Sequence, residues 1–326
     1  MKTRPLTSLV LAAITALCLP AAAQPVNFPT RQVTVVTAFP AGSGPDAVLR
    51  LVGEKLSKLW GQPVLINNKP GGGGFIAIEA SQRAPADGYT LVQFDSEHLA
   101  ALPLLYKAKG YVTLNNFDPV APLFRTPFFV AVPTDSKWQN MKDLIGAAKA
   151  EPGRINYGSW GIGSPGHLGG EQLELLSGIT MTHVPYREMS QLFSAVGSGE
   201  LHWSFGSLPS SQGIYKAGKL RYIAVAAAKR VPQMPGVPTM AEAGGPAGLE
   251  VNSFVSLLAP KGIAGPIKAK IHADVLKVLA DPDIKAKFDA FAFEIITWTP
   301  DQIRQNAEAK GKVYEELVKR KNISLD

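Results

Sequence analysis

Apolar positions along this chain alternate between two periods. Val33-Thr34-Val35-Val36-Thr37-Ala38 is a short run rich in β-branched residues and reads as a buried strand. A Gly/Pro loop follows, and Ala47 to Leu59 then repeats apolar residues at helical spacing. The alternation continues with a strand at Val64-Leu65-Ile66, a helix from Ile76 to Arg83 and a strand at Thr90-Leu91-Val92. It restarts at Phe128-Phe129-Val130-Ala131-Val132, with a helix from Lys142 to Lys149, a strand at Ile155-Asn156-Tyr157 and a helix from His167 to Leu176, and runs on to Ile223-Ala224-Val225. Phe254 to Leu258 reads as a returning strand. Ile267 to Val318 is largely helical, with turn signals at Asp281-Pro282 and Thr299-Pro300. Strands alternating with helices predict parallel α/β architecture. Two such units, the second followed by a return strand and helices, predict two lobes: residues 24–127 with 250–326, and residues 128–249, with crossings near 125–130 and 249–254.

Two loops stand out in this pattern. The first is Phe39-Pro40-Ala41-Gly42-Ser43-Gly44-Pro45-Asp46-Ala47, and the second is Gly158-Ser159-Trp160-Gly161-Ile162-Gly163-Ser164-Pro165-Gly166-His167. Each follows a predicted strand and opens a predicted helix. Glycine lets the main chain turn tightly and lets a ligand approach the backbone. The first amides of a helix have no intrahelical acceptor, and the helix dipole favours negative charge there. Each loop is therefore a candidate anion cradle at the carboxyl end of its strand, where ligands of open α/β sheets sit. Pro45 suits the first turn, and Asp46 complements the positive helix end. The plain alternative is that both loops are simple connections. A third run, Gly71 to Gly74, reads equally as cleft wall or surface turn.

The two loops also satisfy the glycine spacing of a dinucleotide fingerprint. That fingerprint further requires an acid at the end of the next strand, and here the strand ends in Asn67-Asn68-Lys69. Dinucleotide binding is therefore disfavoured, and no organic cofactor is expected. No G-x-S-x-G window, P-loop or H-E-x-x-H motif occurs. The histidines at 98, 167, 183, 202 and 272 are not spaced as a zinc pair, so neither a metal site nor a catalytic residue is predicted.

Lys2 and Arg4, an apolar run from Leu6 to Leu19 and Ala21-Ala22-Ala23 have the layout of a secretory signal peptide cleaved near Ala23. Residues 1–23 are accordingly assigned as leader, and the mature chain is expected in the periplasm. Cys18 is the only cysteine and lies within that leader, so the mature chain has neither disulfide nor thiol chemistry. The formal charge is +7; losing Lys2 and Arg4 lowers it by two, to +5. No basic run of the nucleic-acid type is present, and a mild positive field suits a small anion.

Ordered motifs along nearly the whole mature chain resemble the solute-binding receptors of tripartite tricarboxylate transporters, the Bug-type family. They comprise Phe28-Pro29-Thr30-Arg31, Phe39-Pro40-Ala41-Gly42, Asn68-Lys69-Pro70-Gly71 and Pro85-Ala86-Asp87-Gly88-Tyr89-Thr90-Leu91. They continue with Asn156-Tyr157-Gly158-Ser159, His183-Val184-Pro185-Tyr186, Lys216-Ala217-Gly218-Lys219-Leu220-Arg221, Val237-Pro238-Thr239-Met240-Ala241-Glu242-Ala243-Gly244 and Leu257-Leu258-Ala259-Pro260. The resemblance implies a two-lobe, type II-like periplasmic binding protein, each lobe a mixed or parallel sheet flanked by helices, joined by two crossover strands. It further implies a small carboxylate ligand held between the two glycine loops, partly through water, a membrane permease as partner, and a monomeric form. On this basis the ligand-binding residues are expected to be Phe39, Ala41, Gly42, Ser43, Asp46, Ser96, Ser159, Trp160, Gly163, Ser164, His167, Arg187, Phe205, Gly206 and Ser207.

Several positions depart from the family pattern. Ser43 and Pro45 alter the first loop, Trp160 replaces a small residue, and Arg187-Glu188-Met189 replaces a basic-glycine-small stretch. Gly206 stands where an acid is usual, and Asp95-Ser96-Glu97-His98 replaces a more neutral stretch. Loss of an acid at Gly206 removes a partner for a ligand ammonium. Trp160, Phe39 and Phe205 suggest a flat apolar cleft, and Arg187 a bidentate partner for a second carboxylate. An aromatic carboxylate or dicarboxylate is therefore expected, with aliphatic C4–C6 dicarboxylates as the rival. An exported hydrolase or isomerase acting on a carboxylate, and a sensory receptor, are the alternatives from other classes.

Overall fold

The computed structural model describes residues 27–326; the expected leader lies outside the described residues. Four strands are laid down before the chain first changes sheet: β1 (Val33–Thr37), β2 (Val64–Asn68), β3 (Thr90–Asp95) and β4 (Phe117–Pro127). Next come β5 (Phe129–Pro133), β6 (Asn156–Ser159), β7 (Thr182–Pro185), β8 (Trp203–Gly206) and β9 (Leu220–Val225). The chain then returns through β10 (Asn252–Pro260) and ends with the short β11 (Glu294–Ile295). The first sheet has the order β11-β4-β10-β3-β1-β2 and the second β7-β6-β8-β5-β9. In both, the strands feeding the glycine loops run parallel to their neighbours: β1 with β2 and β3, and β6 with β7 and β8.

Helices cover both faces of each sheet, which is why the strands read as continuous apolar runs. In β1, Val33 and Val35 enter one core with Leu49 and Leu257, while Val36 enters another with Ile78 and Phe94. In β5, Val130 and Val132 join Trp203 and Met141, whereas Phe129 and Ala131 face Phe193 and Leu208.

Sequence reading misses β4, because Pro119, Pro122 and Pro127 look like strand breakers. The structure accommodates the first two at irregularities. Pairing with β10 shifts register between Val255 and Ser256 and again between Leu257 and Leu258, leaving Leu123 and Val120 as extra residues beside those prolines. The strand then continues almost directly into β5 of the other sheet. At the crossing, the Phe128 amide donates to the Val251 carbonyl (3.1 Å), the Val251 amide to Ala226 (2.9 Å) and the Ala226 amide back to Phe128 (2.9 Å). Outgoing and returning segments are thus hydrogen-bonded to each other where the chain passes between sheets.

The last helix, Pro300–Lys321, also links the two halves. It starts at a capping box made by Thr299 and Gln302, and buries Ile303 and Ala307 against the first sheet. Farther on, Tyr314, Leu317 and Val318 share a cluster with Leu105 and with Leu168 of the helix Pro165–Ser177. Lys321 then pairs with Glu171 (2.9 Å) and Glu174 of that same helix.

Two local devices fix the glycine loops. Ser43 caps the helix Gly44–Trp60, accepting from the Asp46 amide. The Asp46 side chain is 2% exposed and folds back to accept from the Gly42 amide (2.8 Å), Arg50 Nε (3.0 Å) and Asn68 Nδ2 (2.7 Å). Burial alone raises its carboxyl pKa, but the Arg50, Asn68 and Gly42 hydrogen bonds outweigh that and leave it lowered. On the other side, Gly170 lets the helix Pro165–Ser177 lie against the Tyr157 ring: a Cβ there would come within 2.2 Å of Cε2. Tyr157 is itself fully buried and stacked on Trp203 at 5.2 Å, so it has little room to yield.

Replacing Gly170 by alanine is expected to destabilise the protein by about 1–3 kcal/mol, although the same change at an open helical site stabilises by up to about 1 kcal/mol; urea unfolding measures the difference. Asp46→Ala is expected to cost about 2–4 kcal/mol. Because the folded pKa of Asp46 is lowered, its contribution is complete above the unfolded value and is lost as pH falls through the folded one. The stability gap between wild type and Asp46→Ala should therefore narrow below about pH 4.

Candidate functional site

The first loop leaves β1 and turns at Gly42, whose φ of +79° suits glycine. Ala41 and Gly42 are exposed and Ser43 is half-buried. Phe39 is half-buried against the first core, with its ring 6.0 Å from that of His98 and its carbonyl accepting from Asn68 (3.0 Å). Among the described residues, the amides of Ala41 and Gly44 have no protein acceptor. Asp46 is different from its expected role. Its carboxylate is engaged within the loop, by Asn68 and by Arg50, so it positions the helix start.

The second loop leaves β6. Gly161 (φ +123°) and Gly163 (φ +82°) make the turn, and Ser164 caps the helix Pro165–Ser177 by accepting from the His167 amide while donating to the Gly161 carbonyl (2.7 Å). Behind it lies a buried polar layer. Ser159 is fully buried and shares a hydrogen bond with His183 Nε2 (2.7 Å), and His183 lies 4.2 Å from the His167 ring. The Gly163 amide donates to His167 Nδ1 (3.2 Å), so the proton of a neutral His167 ring is on Nε2, facing Glu171 at 3.7 Å. Burial, reinforced by the Lys321 charge, pushes His167 down to about 4; burial and the neighbouring His167 do the same for His183. Both rings are therefore uncharged at neutral pH. Ser159 and His167, expected to touch the ligand, instead brace the loop from below. Among the described residues the amides of Trp160, Ile162 and Gly166 have no protein acceptor.

A third helix start belongs to the same surface. Ser207 caps Leu208–Lys216, with its hydroxyl bonded to Ser210 Oγ (2.9 Å) rather than to an amide. A Cβ on Gly44 would stand 3.3 Å from Cγ of Pro209, so this start abuts the first loop from the opposite sheet. A Cβ on Gly163 would meet Leu105, so the second loop is likewise close to the first half of the molecule. Trp160 is half-buried between them, tilted over the crossover residue Phe128 at 5.2 Å and seated on Gly166.

Three expected residues are taken up by packing, and a fourth, Arg187, is exposed just past the carboxyl end of β7. Phe205 is fully buried in the core with Trp203 and contributes no cleft wall. Gly206 points the other way, where a Cβ would come within 2.5 Å of Phe193; a side chain there meets packing, not ligand. Ser96 is fully buried, bonded to Glu97 (2.9 Å), Lys310 (3.0 Å) and Ser253 (3.2 Å). Arg187 is exposed after β7 and takes no part in a salt bridge among the described residues. His98, which the sequence reading did not select, is brought beside Phe39.

A cavity of about 330 Å³ lies away from these loops, between Val251-Asn252 at the crossing, Gln172 and the last helix. Its cations are already engaged, Arg125 with Glu294 (2.6 Å) and Lys310 with Glu97 (2.8 Å). Among the described residues the glycine loops, in contrast, keep several amides without a protein acceptor. Among the described residues there is no cluster of metal-ligating side chains, and no helix is long and apolar enough to cross a membrane.

Comparison with known proteins identifies the family and the fold. Residues 48–323 match the family model described as the tripartite tricarboxylate transporter family receptor. A protein of the gbd 5' region of Cupriavidus necator is 32% identical over 95% of this chain and 93% of its own length. Among solved structures, an adipate complex from R. palustris is 32% identical with a TM-score of 0.82, covering 91% of this chain and 99% of the other. MatC from Rhodopseudomonas palustris with bound malate is 27% identical with a TM-score of 0.78, over 89% of this chain and all of that one. The chain belongs to the receptor family of the tripartite tricarboxylate transporters, periplasmic solute-binding proteins of the Bug type.

Proposed function

We propose that this protein captures a small dicarboxylate in the periplasm by closing two lobes over it, and presents it to the membrane permease of a tripartite transporter without altering it. The lobes are residues 24–127 with 250–326, and 128–249. They hinge where Phe128, Ala226 and Val251 are hydrogen-bonded. One carboxylate of the ligand lies against the first amides of the helices starting at Gly44 and Pro165, with Ala41, Gly42, Ser43, Gly163 and Ser164 around it. The observation that carries this reading is the set of acceptor-free amides at Ala41, Gly44, Ile162 and Gly166, contributed by both sheets. A ligand touching both lobes binds the closed form more tightly and shifts the population toward it.

The choice of diacid now leans toward the aliphatic class. One support for an aromatic ligand, Phe205, is taken up by packing, and two family neighbours were solved with adipate and malate. Trp160, half-buried at the crossing, still favours an aromatic diacid as the second reading.

Calorimetric titration with adipate, malate, terephthalate and an amino acid decides between them. The proposal expects 1:1 binding of an aliphatic diacid, recovered unchanged after denaturation, with affinity little altered in Trp160→Ala. Terephthalate binding that is lost in Trp160→Ala establishes the aromatic reading. Turnover of the diacid, or binding of the amino acid alone, contradicts the proposal.

A further inference from the structure

We propose that His98 is a specificity-determining residue of this site: its Nε2 edge takes the second carboxylate of a diacid, and does so as imidazolium, so that capture is coupled to uptake of one proton from solvent. The proposal rests on the reading that the first carboxylate occupies the helix starts near Gly44 and Gly166.

The geometry begins with β3, which lies beside β1 in parallel register, Thr37 opposite Gln93. Its carboxyl end therefore opens next to the first glycine loop, one strand spacing of about 4.8 Å away. There Asp95 caps the short helix Ser96–Ala100, accepting from the amides of Glu97 (3.1 Å) and His98 (3.0 Å), and also from His98 Nδ1. The His98 ring stacks on Phe94 at 5.1 Å and meets the edge of Phe39, the first residue of the glycine loop, at 6.0 Å. The backbone of Gly74 borders the Cδ2–Nε2 edge of the ring, so closely that a Cβ there would lie 2.2 Å from Cδ2 and 2.5 Å from Nε2. Any side chain at position 74 would therefore collide with that edge of the ring. The side chain retains 15% exposure, and Nε2 has no partner among the described residues.

The protonation follows from the hydrogen bonds. Asp95 already accepts from two amides, so it is an acceptor for Nδ1–H, and Nδ1 carries the proton in either charge state. Only Nε2 then titrates. As an acceptor it would repel a carboxylate; as a donor it forms a charge-assisted hydrogen bond. The groups around the ring are Asp95 and Glu97 from its own helix, Lys310 from the last helix, the Tyr106 hydroxyl beside Gly73 and the Thr113 hydroxyl bonded to the His98 carbonyl (2.6 Å). Lys310 is paired with Glu97 at 2.8 Å. Burial opposes the charged imidazole, but Asp95 and Glu97 outweigh it and raise its pKa, consistent with a ring poised to protonate. Ser96 was the expected ligand contact in this stretch; with Ser96 sealed inside, His98 is the side chain that the turn presents.

The test is calorimetry on wild type and His98→Gln between about pH 5.5 and about pH 8.5, in buffers of different ionisation enthalpy. Adipate is compared with hexanoate, and terephthalate with benzoate. The expected result is diacid affinity that weakens by up to about tenfold per pH unit once free His98 is neutral, with proton uptake rising toward one. His98→Gln should weaken diacid binding roughly tenfold or more and abolish both pH effects, leaving the monoacids unchanged. A measurement on wild type guards against a misfolded variant: on adding diacid at about pH 7.5, the His98 ring ¹⁵N signals should move to imidazolium positions. Diacid binding that is independent of pH and unchanged in His98→Gln overturns the role of His98 and leaves the glycine-loop site standing. Absence of any carboxylate binding to either protein overturns the site and the proposal together.

Discussion

The structure depends on a backbone constraint: a helix that starts directly after a strand presents amides that its own turns cannot satisfy. In this chain that happens at Gly44, at Pro165 and at Leu208. The protein supplies internal acceptors to some of these groups through Ser43, Asp46, Ser164 and His167, and leaves others open. An anion is the natural complement to what is left open, since the helix dipoles add to the amide hydrogens. Because the open amides belong to two sheets, the proposed ligand joins both halves, which is what makes binding a conformational event in the proposed function.

The remaining architecture serves that arrangement. Two adjacent crossings at Phe128 and Val251 are hydrogen-bonded to each other where the chain passes between the sheets, and the proposed closure hinges there. The last helix adds a second link, apolar through Leu168 and Leu317 and ionic through Lys321. Beneath the second loop, burial keeps His167 and His183 uncharged at neutral pH, so the layer holds no buried positive charge that would need its own partner.

Much of this was legible in the residues. Buried strands covered by helices on both faces leave uninterrupted β-branched runs, so β1 and β5 were plain. Ser43-Gly44-Pro45 and Ser164-Pro165 carry the cap-and-proline signature of helix starts. The motif series pointed to the receptor family that the comparisons establish. What failed has a common physical cause. The strand β4 was hidden because proline normally ends pairing, and only the bulges opposite Ser256 and Leu258 make it tolerable. Phe205 and Gly206 were assigned to the cleft from their place in a motif, but both lie on the body of β8. Residues there point into the helix layers on either face; only positions past the strand end reach the mouth. The same error favoured Ser96 over His98, because a single turn of helix rotates one side chain inward and the next but one outward, and sequence alone gives no phase for so short an element.

The central claim is that amides from both lobes close on one ligand carboxylate. It is tested most directly by following the backbone amide resonances of Gly44 and Gly166 during titration with adipate. The account predicts that both move substantially and share a single midpoint equal to the calorimetric one. Movement of only one of them, or a response confined to residues around Val251 and Lys310, would contradict it.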